Sequence, residues 1–219
     1  MDIGTIYNTA ILLGIAKTAY ERINSGASDT EPHNNDAIVA VVFSAAALEA
    51  FINELADLAA QPPIGSSNPA SVQMFASLVN EIEESRGTTR LKYMVARSVF
   101  TGEPYDKSAP PYQDFALLFR LRDALIHLKS ENKFEYDAEG NIVSSNYPKV
   151  VGGLPRHILA KFDDKVTFSW LSWIGTKAVA RWACNVACQM ASSLLGSIPE
   201  GHFRRKATFI YGRIFQPVV

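Results

Sequence analysis

Apolar residues recur at helical spacing along most of this chain. Between residues 5 and 24, Ile6, Ala10, Leu13, Ala16 and Ala19 or Tyr20 repeat every three to four positions, which predicts a helix. Gly26 and the polar run SGASDTEPHNN end it. Residues 35–60 predict a second helix, the most apolar and most buried of the chain, with Asp36 as its cap and Pro62-Pro63 as its stop. The loop QPPIGSSNP precedes helices over about 69–85 and 88–100. TGEPYDKSAPPY then breaks the pattern, and Pro110-Pro111 open a helix over about 112–130. The next segment, KFEYDAEGNIVSSNYPKVV, sets aromatic and β-branched residues around an Asp-Ala-Glu-Gly-Asn turn. It predicts a hairpin or extended excursion, closed by Gly152-Gly153 and Pro155. One long final helix is predicted over 167–196, carrying Trp170, Trp173, Ala178, Trp182 and Met190. The tail EGHFRRKATFIYGRIFQPVV is basic and aromatic, and its pattern assigns it no element.

No repeat, heptad or low-complexity block interrupts this order. The excursion, residues 131–153, lies between helical segments, so residues 1–219 read as a single all-α domain: an up-and-down helical bundle with one insertion and a basic-aromatic tail over 200–219. Composition agrees with an ordinary globular chain, since 219 residues at 47% hydrophobic can bury one sizeable core or two small ones. Charge narrows the function classes. With 21 basic and 22 acidic residues and a net charge of −1, the chain has no global basic field to draw in nucleic acid, so any such contact is local. Cys184 and Cys188, four apart in an apolar segment, read as core thiols of a reduced intracellular protein; two cysteines make no disulfide framework, and no further ligands flank them for a metal. The first residues, MDIGTIYNTAILLG, lack the basic region of a secretory signal. Glu49 interrupts the apolar run 37–52 short of the ~20 residues a membrane span needs. A cytoplasmic protein with no membrane partner is expected.

The segment with most chemistry is RLRDALIHLK, residues 120–129. Successive residues turn by ~100° on a helix, so Phe115, Leu118, Phe119, Leu125 and Ile126 form an apolar stripe, with Arg122 inside it. Arg120, Asp123, His127 and Glu131 follow a separate polar line. Asp123 and His127 are one turn apart and can hydrogen-bond, which would fix the ring tautomer and favour the imidazolium. Spacing alone leaves two readings open: a solvated helix face whose Arg122 reaches past its apolar neighbours to water, or a site built from Arg122 and His127. The pair is about 140° apart on one ideal helix, so a single helix cannot aim both at one atom. A two-fold dimer packed through this helix could, each copy giving one Arg and one His to a shared cleft.

Arg122-Asp123-Ala124-Leu125-Ile126-His127 resembles the motif of the HEPN superfamily: Arg, a polar residue, a few mostly apolar residues, then His. The buried helix AIVAVVFSAAALEAFINELA extends the resemblance, with Glu49 in its middle and Asn53 one turn later, as in prokaryotic members; so do the helix order and the long helix with Trp182. The resemblance implies a HEPN-like helical bundle and a metal-independent endoribonuclease that works as a homodimer through the motif helix. It is of the kind found in toxin–antitoxin, abortive-infection and other defence systems, with an antitoxin or other regulatory protein as partner. Arg122 and His127 would be the catalytic pair and Asp123 the polar second residue. Glu49, Asn53 and Arg120 would be supporting residues, with no cofactor and no metal. The alternative is a non-catalytic HEPN module that binds a partner protein, nucleotide or RNA through the same groove. A third reading is a plain helical scaffold in which the pair is structural. One HEPN toxin subgroup has a nucleotide-modified tyrosine two residues after the histidine; Lys129 stands there, so that regulation is not expected.

Elsewhere, Arg204, Arg205 and Lys206 with Phe203 and Phe209 offer charge and stacking for RNA, against the plainer reading of a solvated basic tail. Arg86, Arg90, Lys92 and Arg97 form a second basic cluster that would line a groove. His33, His157 and His202 read as surface residues, no serine has a nucleophile-elbow context, and GTTR at 87–90 is no phosphate loop.

Overall fold

The helical periods are realised in a computed structural model that describes residues 7–23, 35–61, 68–127, 134–136, 138–139, 142–145, 149–160 and 169–219. Among the described residues the fold is all-helical apart from one hairpin. Its helices are α1 (Asn8–Arg22), α2 (Asn35–Ala60), α3 (Ala70–Glu84), α4 (Thr89–Thr101), α5 (Tyr112–Ile126), α6 (Trp170–Ile174), α7 (Lys177–Ser197) and α8 (His202–Tyr211). The excursion holds the hairpin: β1 (Phe134–Tyr136) pairs antiparallel with β2 (Ile142–Ser145), Phe134 opposite Ser145, with an irregularity between Glu135 and Tyr136. Two 3-10 turns follow, Val151–Gly153 and Arg156–Ile158.

Packing divides the chain into two compact units: residues 1–14, 46–116 and 186–217 in the first, and 15–45, 117–185 and 218–219 in the second. In the first unit Glu54 of α2 receives the start of α1. Its two carboxylate oxygens accept from the Thr9 backbone N–H at 3.1 Å and the Thr9 hydroxyl at 2.6 Å, placing a negative charge on the unpaired amides of a helix N-terminus. Aromatic pairs fill the core of this unit. Phe51 meets Tyr211 and Phe215 edge-on at 4.9 and 5.0 Å, Phe75 packs on Phe100 at 4.9 Å, and Tyr93 packs on Phe115 at 4.7 Å. Helices α3 and α4 pack together across a tight turn. Gly87 N–H reaches Ile82 O at 2.7 Å and Arg86 N–H reaches Glu83 O at 2.9 Å, the bond pair of a Schellman cap, with Arg86 left-handed at φ 57°. A Cβ on Gly87 would stand 2.5 Å from Ile82 Cγ2, so only glycine fits there.

The second unit is built on small residues. Ala16, Ala19, Ala37, Ala40, Ala45, Ala180 and Ala183 are buried, and the Ser44 hydroxyl donates to Cys184 Sγ at 3.8 Å. Asn185 and Val218 exchange two hydrogen bonds, at 2.8 and 3.1 Å.

Two expectations change, and the structure fills one segment that the pattern left open. The final helix is two: the chain breaks at Gly175-Thr176, where the Thr176 hydroxyl accepts from Val179 N–H at 3.0 Å and donates to Ile158 O at 2.7 Å, capping α7 while anchoring the second 3-10 turn. The tail, to which the pattern assigned no element, forms α8, which buries Phe203, Ala207 and Tyr211, with Phe215 one turn further on also buried. Among the described residues, α2 is the one helix long and apolar enough to cross a bilayer by length and composition, despite Glu49; its Val41, Leu48, Phe51, Ile52 and Leu55 are fully buried in the protein.

Candidate functional site

The motif occupies the last turn of α5, within the second unit. Leu118, Leu121 and Leu125 bury one face of that turn. Ile126, expected in the apolar stripe, is 52% exposed although it falls between the buried Phe115 and Phe119 on the helical wheel; it is the last residue of the helix, and Leu121 joins Leu118 and Leu125 on the inner face. The helix ends at Ile126 rather than near residue 130. His127 sits in the turn just after it, exposed, and its backbone N–H donates the last helical bond to Asp123 O at 2.9 Å. Glu131 lies outside the described residues.

Arg122 is the most constrained member. Its side chain is only 21% exposed; its guanidinium lies 5.3 Å from the centre of the Phe119 ring, and Nη1 is 3.1 Å from Asp123 Oδ1. The ring and the carboxylate together fix the fork's plane. The side-chain partner the structure gives Asp123 is thus Arg122, where sequence spacing pointed to His127. Arg120 is exposed on the polar side of the helix. Arg122, Asp123, Ile126 and His127 together make an accessible patch of mixed charge with one bare aliphatic side chain.

Glu49 and Asn53 belong to the first unit, where they line an open groove of about 410 Å³ with Asn8, Ile11, Leu12, Ala46 and Ala50. Both are half-buried. The Asn53 carboxamide oxygen accepts from Lys92 Nζ at 2.6 Å, and the same ammonium ion-pairs with Glu83. Lys92 therefore does not line a basic groove with Arg86, Arg90 and Arg97. It is 1% exposed and committed to the core, while Arg97 donates to the Ser197 hydroxyl and lies over the Tyr105 ring at 5.3 Å. Sequence reading missed this buried lysine because residue type alone marks it for the surface.

In α8, Arg204 is tied to Glu200 at 2.6 Å and partly buried, Arg205 is exposed, and Lys206 is intermediate. Phe203, grouped with them as a stacking ring, is in the core at 4% exposure, whereas Phe209 is 86% exposed. His157 and His202 are exposed; His33 lies outside the described residues. Both cysteines are buried thiols outside any disulfide, and burial pushes the Cys184 thiol up, which suits a core residue rather than a nucleophile. Among the described residues no three His, Cys, Asp or Glu side chains gather as a metal site would need.

Set beside known proteins, the chain matches no family model, no curated sequence and no solved structure.

Proposed function

We propose that this chain is a HEPN-type, metal-independent endoribonuclease, a toxin or defence effector in the cytoplasm, acting as a homodimer through α5. The observation that carries the reading is the patch at the end of that helix: a guanidinium held in plane by Phe119 and Asp123, and an exposed imidazole five residues on. The resemblance of Arg122-Asp123…His127 to the superfamily motif supports it. The exposed Ile126 beside the motif is the apolar contact a second copy would cover.

The chemistry needs only what RNA and these side chains supply. The His127 imidazole takes the proton of the ribose 2′-hydroxyl or gives one to the 5′-oxygen as it leaves. The 2′-oxygen forms a bond to phosphorus, the bond from phosphorus to the 5′-oxygen breaks, and the products are a 2′,3′-cyclic phosphate and a 5′-hydroxyl. The Arg122 fork donates to the non-bridging oxygens as their charge grows in the five-coordinate transition state. The 140° separation of the two side chains on one helix is bridged when each copy in a dimer contributes one group to the other's cleft.

The test is RNA cleavage by purified protein in excess EDTA, with product ends identified. His127→Ala is expected to slow cleavage about 10²–10⁴-fold, the usual worth of a positioned acid–base group. Arg122→Ala is expected to cost roughly 10²–10³-fold. For His127→Ala, circular dichroism and thermal melts should match wild type, because His127 is exposed. Cleavage that persists in a folded His127→Ala protein removes the assignment. RNA binding without product would favour the non-catalytic module, to which Arg122's existing contacts with Phe119 and Asp123 also lend themselves.

A further inference from the structure

Helix α8 has two faces that differ in kind. The inner face repeats every four residues, Phe203, Ala207 and Tyr211, with Phe215 beyond, and is buried. On the outer side Arg205, Phe209 and Arg213 also stand four apart, and all three are exposed. Gly212 keeps right-handed helical angles (φ −61°, ψ −27°), so Arg213 continues the line past the end of the helix. Phe209 is 86% exposed, and no other ring among the described residues is as open to solvent. A bare phenyl ring on a well-packed helix has a standing cost in water that its neighbours do nothing to relieve.

Charge says what would cover it. Residues 201–219 contain four Lys or Arg and no Asp or Glu, so this surface is locally basic although the chain as a whole carries −1. Glu200 is already engaged with Arg204, leaving Arg205 and Arg213 as the guanidinium groups that flank the ring. Four residues of helix rise about 6 Å, so the two arginines stand roughly 12 Å apart along the axis, with the ring midway between them. An aromatic platform between two phosphate-binding forks is the arrangement by which proteins hold an unpaired base and its backbone. A membrane surface fits less well. The apolar face of α8 is spent on the core, and a single ring offers too little area to hold a helix in a bilayer interface.

We propose that Arg205, Phe209 and Arg213 form a binding surface for single-stranded nucleic acid, with one base stacked on Phe209 and the adjoining phosphates on the two arginines. The surface depends neither on the α5 motif nor on cleavage. It also revises the residues that the basic tail suggested, since Phe203 is buried and Arg204 is taken.

The full chain is titrated by fluorescence anisotropy with a labelled 2′-O-methyl RNA of roughly 12 nucleotides, within the range of site sizes of such surfaces. This probe lacks the attacking hydroxyl, so binding is read apart from any cleavage. Phe209→Ala is expected to weaken binding about 5- to 150-fold and Phe209→Trp to preserve it. Arg205→Ala and Arg213→Ala are each expected to flatten the slope of log affinity against log salt by about 0.7. A DNA strand of the same sequence tells whether the 2′ position matters; tighter RNA binding identifies RNA as the source of the base and phosphates, equal binding identifies any single strand. The proposal is overturned if the folded wild type does not bind either strand, if Phe209→Ala binds as tightly as wild type, or if Phe209 is required only for binding to vesicles of phosphatidylserine and phosphatidylcholine.

Discussion

Lys92 shows how far a single residue can depart from its type. Its ammonium is held in the core of the first unit by the Asn53 carboxamide and the Glu83 carboxylate, and its stem is sealed from water. Replacing it with alanine would open a cavity and orphan the Asn53 oxygen, whereas Glu83, 58% exposed, would return to water with little loss. Lys92→Ala is therefore expected to cost about 2–3 kcal/mol in urea unfolding. Lys92→Met, which keeps the stem's volume, should cost roughly 1–2 kcal/mol. Equal stability of wild type and Lys92→Ala would show that the contact contributes nothing. The motif residues behave differently. An arginine inside an apolar stripe was legible as an anomaly, and the structure gives it the Phe119 ring to lie on. What the spacing could not convey was its preference for Asp123 over water, since neighbours in sequence face different directions on an ideal helix.

At the scale of elements, periodicity located helices well and their interruptions poorly. The strong apolar run of α2 and the proline-opened start of α5 fall at the predicted residues, because burial and proline leave few alternatives there. The break between α6 and α7 was invisible: Gly175-Thr176 sits inside a pattern that continues on both sides, and the deciding bond is to Ile158, distant in sequence. Thr176→Val keeps the shape and removes both of the hydroxyl's hydrogen bonds. The buried Val179 N–H and Ile158 carbonyl would lose a partner, at a cost of roughly 2–3 kcal/mol. For a chain of this size that is a fall in melting temperature of about 4–12 °C, with Thr176→Ser retaining most of the stability. An unchanged melt for Thr176→Val would remove the cap from this account. Helix α8 was legible in principle, through apolar residues at every fourth place from Phe203 to Phe215; the interleaved arginines masked it.

At the scale of the molecule, the first unit concentrates phenols. Burial pushes the Tyr93 hydroxyl well above its ordinary value, with a smaller push from Tyr105. Burial likewise raises Tyr105, Tyr112 and Tyr211, the last aided by the Glu54 carboxylate. These groups stay protonated in the folded chain at pH values where the unfolded chain releases their protons, near 10. Their contribution to stability is full below that pH and is lost as pH rises through the folded values. The chain is expected to unfold in alkali, with phenolate absorbance lagging a model phenol and then rising with the loss of helical ellipticity. Phenolate absorbance that climbs near pH 10 while the helices persist would contradict it.

The sequence by itself determined the helical class, the course of α1 to α5 and the hairpin after them, because these follow from local periods and from turn residues. Tertiary structure alone decided which polar groups are spent in the core and which remain at the surface. Lys92 is engaged in the core through Asn53, and Arg205 and His127 are exposed. A side chain's availability depends on what packs against it from distant parts of the chain, and no local pattern records that.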